Sequence, residues 1–263
     1  MRPIMSEHEL DDGWELARST GAASTDVTME GFRDRVSAGC DMRIFPRPEV
    51  TVVIQFGDCR LIVEGPDHQS TFDGLVAGLD PGVRRVHAAR VECVEVRMSP
   101  IAAYRLLGVA PAALTGTMIG LDDLWGPAAP LLREQLAETA TWAERFALTS
   151  RFLTLRESTR TADPEVAAAW DRIVAGNGGV RVRELTELTG WSRKRLWSRF
   201  TAQVGVTPKR AAMLTRFRHA FDLLTTGHSP ANTAVACGYS DQSHLHRDVS
   251  AFAGVTPGAL TAP

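Results

Sequence analysis

The chain of 263 residues has few cysteines and no long apolar run. Cys40, Cys59, Cys93 and Cys237 are widely scattered, and no Cys-x-x-Cys pair occurs, which argues against a disulfide framework or a structural zinc site. We expect them to be small buried hydrophobic residues. No apolar run approaches the ~20 residues that span a bilayer, and the N-terminus lacks a basic segment followed by an apolar one. The sequence therefore predicts a cytoplasmic protein without a membrane partner.

Recognisable catalytic motifs are missing as well. The sequence has no Gly-rich phosphate loop, no Ser nucleophile elbow and no paired carboxylates on a helix; Asp122-Asp123 is more typical of a helix cap. A metal-dependent barrel enzyme needs two or three histidines and a carboxylate. The β-rich part of this chain offers only His68 and His87, with no His-x-His pair. We therefore predict no catalytic residue, no metal site, no cofactor and no enzyme activity.

Basic residues are concentrated in the C-terminal part of the chain. Residues 160–263 carry a formal charge of +5, whereas the remainder carries −7. Between Glu187 and Asp222 there is no acidic residue, yet this stretch holds eight arginines and lysines, the last of which is Arg218. A charge run of this kind is either a solvated helix face or the contact surface for a polyanion, and the asymmetry favours the polyanion.

The N-terminal part has the pattern of a β domain followed by helices. Residues 50–56 and 60–63 are β-branched runs separated by the hairpin signal Gly57-Asp58, and residues 71–79 and 90–98 alternate in polarity. These short strands predict a small barrel or sandwich. Helices are predicted at 101–107, where Ser99-Pro100 starts the helix, at about 130–138, and from Thr141, where Glu144 completes a capping box.

The C-terminal part contains an internal repeat. Residues 190–208 recur in degenerate form as residues 238–257; each copy opens with Gly-aromatic-Ser and closes on Gly-Val-Thr-Pro, with one extra residue near Ser243 in the second. Before the first copy, residues 182–189 have the spacing of a short amphipathic helix, Gly190 permits a tight turn, and Ser192 caps a second helix. Each copy therefore predicts a helix-turn-helix, a unit that presents its second helix to a major groove.

One continuous helix is predicted between the copies, at 208–224, roughly 25 Å long. A spacer of this size would hold two DNA-reading helices about one turn of duplex, ~34 Å, apart.

These features resemble the AraC family of transcription regulators. The similarity is carried by the segment Gly238 to Leu245 and by the twin Gly-Val-Thr-Pro endings, and it covers about residues 163–260. It implies an α+β protein of two domains. The resemblance places a cupin-like β-barrel sensor domain with dimerisation helices (about 99–157) at 1–157, a linker at 158–163 and a DNA-binding domain at 164–263. Within the last it implies helix-turn-helix units at about 182–204 and 230–252, joined by a helix at 208–224.

The resemblance also assigns DNA-binding roles residue by residue. The residues expected to read bases are Lys194, Trp197 and Ser198 in the first unit and Gln242, Ser243, His246 and Arg247 in the second. Those expected to contact phosphates are Arg193, Arg195, Arg199, Lys209 and Arg210. The chemistry is suitable, since arginine pairs with guanine, glutamine with adenine, and an indole packs on a thymine methyl. The second unit departs from the family at Thr233, Val249 and Asp248, and Asp248 is expected to bring negative charge near phosphates.

The resulting prediction is a sequence-specific, DNA-binding transcription regulator. The expected partners are promoter DNA, a small-molecule effector, a second copy of the chain in a homodimer and, if the protein is an activator, RNA polymerase. Phe56 and Phe72 are candidates for lining an effector pocket, although rings of this kind also fill cores. The alternatives are a ligand-independent regulator whose N-terminal domain binds protein and, less favoured, a metal-dependent cupin enzyme fused to a DNA-binding domain.

Overall fold

The protein is described from a computed structural model, which covers residues 13–19, 26–37, 39–65, 68–80 and 82–261. The predicted domain limits at residues 1 and 263 lie outside these ranges. We call residues 13–157 the N-terminal part and residues 164–261 the C-terminal part. Within the described residues, no helix has the length and apolar character needed to cross a membrane.

The N-terminal part is built on two antiparallel sheets. One has the strand order β1-β2-β9-β4-β7-β10 and the other the order β3-β8-β5-β6. The strands are β1 (Trp14–Arg18), β2 (Val27–Asp34), β3 (Cys40–Ile44), β4 (Val50–Gln55), β5 (Leu61–Glu64), β6 (Gln69–Phe72), β7 (Gly74–Ala77), β8 (Arg84–Ala88), β9 (Glu92–Met98) and β10 (Met118–Gly120). Residues 71–79, predicted as one strand, are therefore two, because the chain bends at Asp73 and changes sheets.

The larger sheet is buried on both faces. Side chains alternate along a strand, so Val52 and Ile54 of β4 face the helices that follow the sheet, whereas Val53 faces the smaller sheet. The second apolar cluster lies between the two sheets and consists of Leu61, Val63, Leu75, Ala77, Val86, Ala88, Val91 and Cys93. The larger sheet therefore has a packed cluster on each side, one beneath the helices and one between the sheets.

Short helices cover the outer face of the larger sheet. They are α1 (Pro100–Leu106), a 3₁₀ helix η1 (Pro111–Ala113), α2 (Leu121–Trp125), α3 (Ala128–Glu138) and α4 (Trp142–Thr154). Ser99 caps α1 through a bond from the amide of Ala102, and Thr141 and Glu144 form the predicted capping box of α4. The local start signals in the sequence are thus confirmed, and the bounds of α1 and α3 move by one or two residues.

The C-terminal part is entirely helical. It contains α5 (Pro164–Ala175), α6 (Val182–Thr189), α7 (Arg193–Val204), α8 (Pro208–Thr225), α9 (Pro230–Ala236), α10 (Gln242–Ala253) and α11 (Pro257–Leu260). The predicted α+β architecture is confirmed, including two helix-turn-helix units joined by a long helix. With 18 residues, α8 is about 27 Å long.

The N-terminal part contacts both helix-turn-helix units. The ring of Phe45 lies 4.9 Å from that of Phe221 in α8, and an Arg43 Nη donates to the carbonyl of Ala253 at the end of α10. At the end of α7, Thr115 donates its hydroxyl to the carbonyl of Gly205. The last residues of both second helices therefore touch the β-rich part.

Candidate nucleic-acid interface

The first unit is shaped by two glycines and a serine. Gly190 ends α6 with φ +66°, a left-handed conformation that L-residues with a side chain rarely adopt, and Trp191 then turns inward and is buried. The hydroxyl of Ser192 accepts the amide of Arg195 at 3.3 Å, which starts α7. Leu196 and Phe200 of α7 are fully buried, so the opposite face of the helix points outward.

The second unit repeats this arrangement with a different cap. Gly238 has φ +67°, and the carboxylate of Asp241 accepts the amide of His244 at 2.7 Å, starting α10. The cap thus follows the glycine by three residues, whereas Ser192 follows Gly190 by two. The extra residue of the repeat accordingly lies in the turn before α10, ahead of Ser243.

Once the caps are aligned, six of the seven predicted base readers occupy equivalent positions, whereas Gln242 aligns with Arg193, a predicted phosphate contact. Lys194 corresponds to Ser243, Trp197 to His246, and Ser198 to Arg247. Residues at i, i+3 and i+4 share one face of a helix, so each trio forms one stripe. We call these six residues the reading face.

The reading face is accessible in both units. Lys194, Ser198, Gln242, Ser243, His246 and Arg247 are exposed, and Trp197 is half-buried. The guanidinium of Arg193 lies 5.0 Å from the Trp197 ring centre, a cation–π contact that holds the indole against the helix surface. Trp197 is therefore a surface aromatic rather than a core anchor.

The predicted phosphate contacts divide into two groups. Lys209, Arg193 and Arg195 are free of carboxylates within the described part of the chain, and Arg195 stacks on Trp191 at 4.4 Å. Arg199 is bound by the Asp163 carboxylate at 2.6 and 2.7 Å, and Arg210 by Asp80 at 2.6 Å. Both would have to exchange a carboxylate for a phosphate, so their role on DNA stays a prediction.

Asp163 shows the effect of this pairing. It stands at the N-cap position of α5, but its side chain makes no cap hydrogen bond because it is committed to Arg199. Hydrogen bonds from Arg199 lower the pKa of Asp163, so the carboxylate is ionised at neutral pH.

The expectation for Asp248 is wrong. The side chain takes the position equivalent to Arg199 but is buried, 7% exposed, and lies 4.0 Å from the ring of His244. Burial, followed by the nearby Asp248 charge, raises the pKa of Tyr239. The carboxylate therefore belongs to the interior of the second unit and does not face phosphates.

Thr233 and Val249, the other two departures, are both buried in this interior. Thr233 is fully buried, and its hydroxyl has no hydrogen-bond partner among the described residues. A buried hydroxyl without a partner destabilises a protein by roughly 1–3 kcal/mol. The second unit is therefore packed around an uncompensated polar atom.

We expect Thr233→Val to raise the free energy of unfolding by about 1 kcal/mol, because it removes the unpaired hydroxyl at nearly constant shape. Thr207→Val is the matched control. The Thr207 hydroxyl accepts the amide of Arg210 at the start of α8, so its loss should lower stability by about 1 kcal/mol. Urea denaturation of both variants measures the difference. A loss of stability in Thr233→Val would show that this hydroxyl is satisfied in solution.

Neither predicted effector residue is among those that line the cavity between the sheets. Phe56 lies on the helix side of the larger sheet, with its ring 6.0 Å from Trp142 and 4.8 Å from the Arg145 guanidinium. Phe72 is half-buried against the cluster between the sheets. A cavity of about 200 Å³ is instead enclosed by both sheets, and its apolar wall includes Phe32, Met42, Ile44, Val53, Leu75, Val86 and Met118.

The mouth of this cavity is charged and touches α8. Arg43, Arg47 and Arg97 lie there with Glu30, Glu49 and Glu95, and Arg218 and Phe221 of α8 complete the rim. Arg97 is bound by Glu30 at 2.6 Å and also by Glu95, and Arg218 by Asp222 at 2.7 Å. The charges at the mouth are therefore largely paired with one another.

Arg47 and Glu49 differ from these pairs, since among the described residues neither makes a hydrogen bond or ion pair, although the charge of Glu49 acts on Arg47. Burial, and then the charges of Arg218 and Arg97, lower the pKa of Arg47, and the flanking Pro46 and Pro48 restrict its backbone. An arginine remains charged even so. Arg47 is thus a largely desolvated cation in the cavity lining, where it can pair with an anionic group of a ligand.

Residues 185–262 match the family model described as a helix-turn-helix domain. An uncharacterised HTH-type transcriptional regulator of Bacillus subtilis, YbfI, is 42% identical over 66 residues, which are 25% of this chain. The matched segment spans 24% of that relative's length.

Two solved structures are also similar. A probable AraC family transcriptional regulator from Rhodopseudomonas palustris is 27% identical, with a TM-score of 0.34 over 38% of this chain and 95% of that chain. ToxT from Vibrio cholerae is 14% identical, with a TM-score of 0.49 over 89% of this chain and 97% of that chain.

Proposed function

We propose that the whole chain is a sequence-specific, DNA-binding transcription regulator of the AraC type; the match of residues 185–262 to a helix-turn-helix domain supports this. The observation that carries the proposal is the reading face, which sits at equivalent, exposed positions of two helices fixed to one spacer. A reading helix fits the major groove, where side chains distinguish all four base pairs. Two such helices in one rigid domain would contact two successive segments of the major groove.

The two units contribute differently to binding. Four of the first seven residues of α7 are cationic. In contrast, α10 contains one arginine, Arg247, and two histidines, and its N-cap residue is an aspartate. Phosphate contacts supply most of the sequence-independent affinity. We propose that the first unit supplies more of this affinity and that the second mainly adds discrimination through Gln242 and Arg247.

Selection of bound duplexes from a random library tests the function. The full chain should enrich one motif with two half-sites about 10–10.5 base pairs apart, one for each unit. Recovery of no motif after several rounds, with equal affinity for all duplexes, would contradict sequence-specific regulation.

We propose that the cavity between the sheets binds the effector, an apolar small molecule with one acidic group. A ~150 Å³ apolar cavity holds benzene, so about 200 Å³ suits a slightly larger ligand. Its acidic group would pair with Arg47, the cation that has no partner among the described residues. Because Arg218 and Phe221 form part of the rim, such a ligand contacts both parts of the chain.

A thermal shift series tests this assignment. Small aromatic and aliphatic acids are compared with their neutral amides, on the wild-type chain and on Arg47→Gln. A binding acid should stabilise the wild type by about 2.7 kcal/mol at a hundredfold excess over its Kd, several degrees in Tm, and should lose this effect in the variant. Shifts by neutral amides alone would contradict the acidic class. No shift with any compound would favour a ligand-independent regulator.

Dimerisation and transcriptional activation complete the proposal. Exposed Leu131 in α3 and Leu155 after α4 lie within the helical segment 99–157, where a partner copy would cover them. Analytical ultracentrifugation distinguishes a dimer from the 28.6 kDa chain. A purified transcription assay with RNA polymerase then separates activation from repression.

A further inference from the structure

The 3₁₀ helix η1 of the N-terminal part lies against the DNA-reading helix α7. Ala112 of η1 shares one concave surface with Lys194, Trp197 and Ser198 of the reading face. The contact is close: a Cβ at Gly205 would stand 2.5 Å from the hydroxyl of Thr115 and 2.9 Å from the carbonyl of Pro111. The N-terminal part therefore reaches the helix that the proposed function places in the major groove.

Two polar links hold this contact together. The Thr115 hydroxyl donates to the carbonyl of Gly205 at 2.9 Å, and the Arg210 guanidinium binds the Asp80 carboxylate at 2.6 Å. Arg210 also stacks on Phe252 of the second unit at 4.1 Å. We call the Thr115–Gly205 and Asp80–Arg210 links the latch. One of its four residues, Arg210, is a candidate phosphate contact.

The dimensions of DNA make the latched arrangement unfavourable for binding. A helix with its side chains is about 10–12 Å across, and the major groove is about 12 Å wide. The groove therefore admits α7 alone and has no room for η1 beside Trp197 and Ser198. In addition, Asp80 neutralises Arg210 and places a carboxylate where phosphates would approach.

We propose that the latch is an autoinhibitory contact, which must open before α7 can enter the major groove fully. This rests on the proposed function, because it takes α7 to be a DNA-reading helix.

The latch is built on the wall of the cavity between the sheets. Ala77, Gly78 and Met118 line that cavity. Asp80 follows Gly78 by two residues, and Thr115 precedes Met118 by three. The two segments are joined by hydrogen bonds from the amide of Gly78 to Thr117 and from that of Gly116 to Leu79. A ligand that displaces this wall would move both links together. Effector binding would thereby change the contact between η1 and α7.

The test compares the DNA affinity of full-length variants altered only in the N-terminal part. Asp80→Asn with Thr115→Val removes both links without changing the C-terminal part. The matched control is Asp73→Asn with Thr117→Val, which makes the same chemical changes where the partners, Arg60, Arg133 and Leu114, all lie in the N-terminal part. Kd is measured by fluorescence anisotropy on the selected duplex and on a scrambled one.

The latch variant should bind the selected duplex roughly five- to thirtyfold more tightly than the wild type, and the control should stay within about twofold. Equal affinities of latch variant, control and wild type would overturn the proposal, as would weaker binding by the latch variant. If the double variant does not fold, Asp80→Asn alone is compared with Asp73→Asn, with a smaller gain expected. A wild type that does not distinguish the two duplexes would refute the proposed function instead.

Discussion

Replacing Phe217 with alanine is expected to lower the free energy of unfolding by about 3–5 kcal/mol. The ring is fully buried in α8, stacks on Phe252 of α10 at 4.9 Å and packs against Phe221 at 5.9 Å. Its removal leaves a cavity where the spacer helix meets the second unit, so the surroundings cannot close without moving α10. Urea unfolding followed by far-UV circular dichroism measures the loss.

Phe217→Leu is the control for this substitution, because it keeps most of the buried volume and should cost less than about 1.5 kcal/mol. DNA affinity adds a second readout. If the spacer aligns both reading helices, Phe217→Ala should weaken binding to the two-half-site duplex even at temperatures where the chain remains folded. A destabilisation below about 1 kcal/mol would contradict the assignment of Phe217 as the joint between spacer and second unit.

Alanine at Trp197 or at Gln242 is expected to remove sequence discrimination. Gln242 is exposed and Trp197 is half-buried on the outer side of its helix, and a good base contact is worth about 1–3 kcal/mol, a five- to 150-fold loss on the selected duplex. Binding to scrambled DNA should change little, because phosphate contacts remain. Competition titrations with duplexes altered at single base pairs would show which position each residue reads.

Lys209→Ala provides the comparison for both variants. Lys209 is exposed at the start of α8, outside the reading face, so its loss should weaken selected and scrambled duplexes by similar factors and reduce the salt dependence by about one charge. Equal losses on both duplexes for Trp197→Ala and Gln242→Ala would show that these residues contact phosphates or support the fold.

The helical half of the molecule could be predicted from local signals. Glycine at 190 and 238, a cap before each second helix, and proline at the start of α8 leave little choice of backbone conformation. The positions on the reading helices were assigned by the resemblance to the AraC family, and Leu196 and Leu245, one in each helix, lie on the opposite, buried side. The cap of the second helix was not predicted, because Ser240 and Asp241 are both suitable, and the structure places Asp241 at the cap position.

The β half and its cavity were predicted less well. Strands β1, β2, β3 and β8 contain charged residues, some of which pair across strands, as Arg85 does with Asp41 at 2.7 Å. Because of these charges, the four segments lack the runs of apolar residues from which the other strands were predicted. Phe56 and Phe72 were proposed for their rings, and neither is among the residues that line the cavity between the sheets, so their role in effector binding stays a prediction. Arg47 and the latch depend on contacts between distant segments, which a sequence pattern does not show.

Hydroxyl-radical footprinting of the full chain on its selected duplex tests the central claim most directly. If α7 and α10 enter neighbouring segments of one major groove, two protected regions should lie on the same face of the DNA, centred about 10–10.5 base pairs apart, and Arg247→Ala should weaken only one of them. A single protected region, or two on opposite faces, would contradict the account.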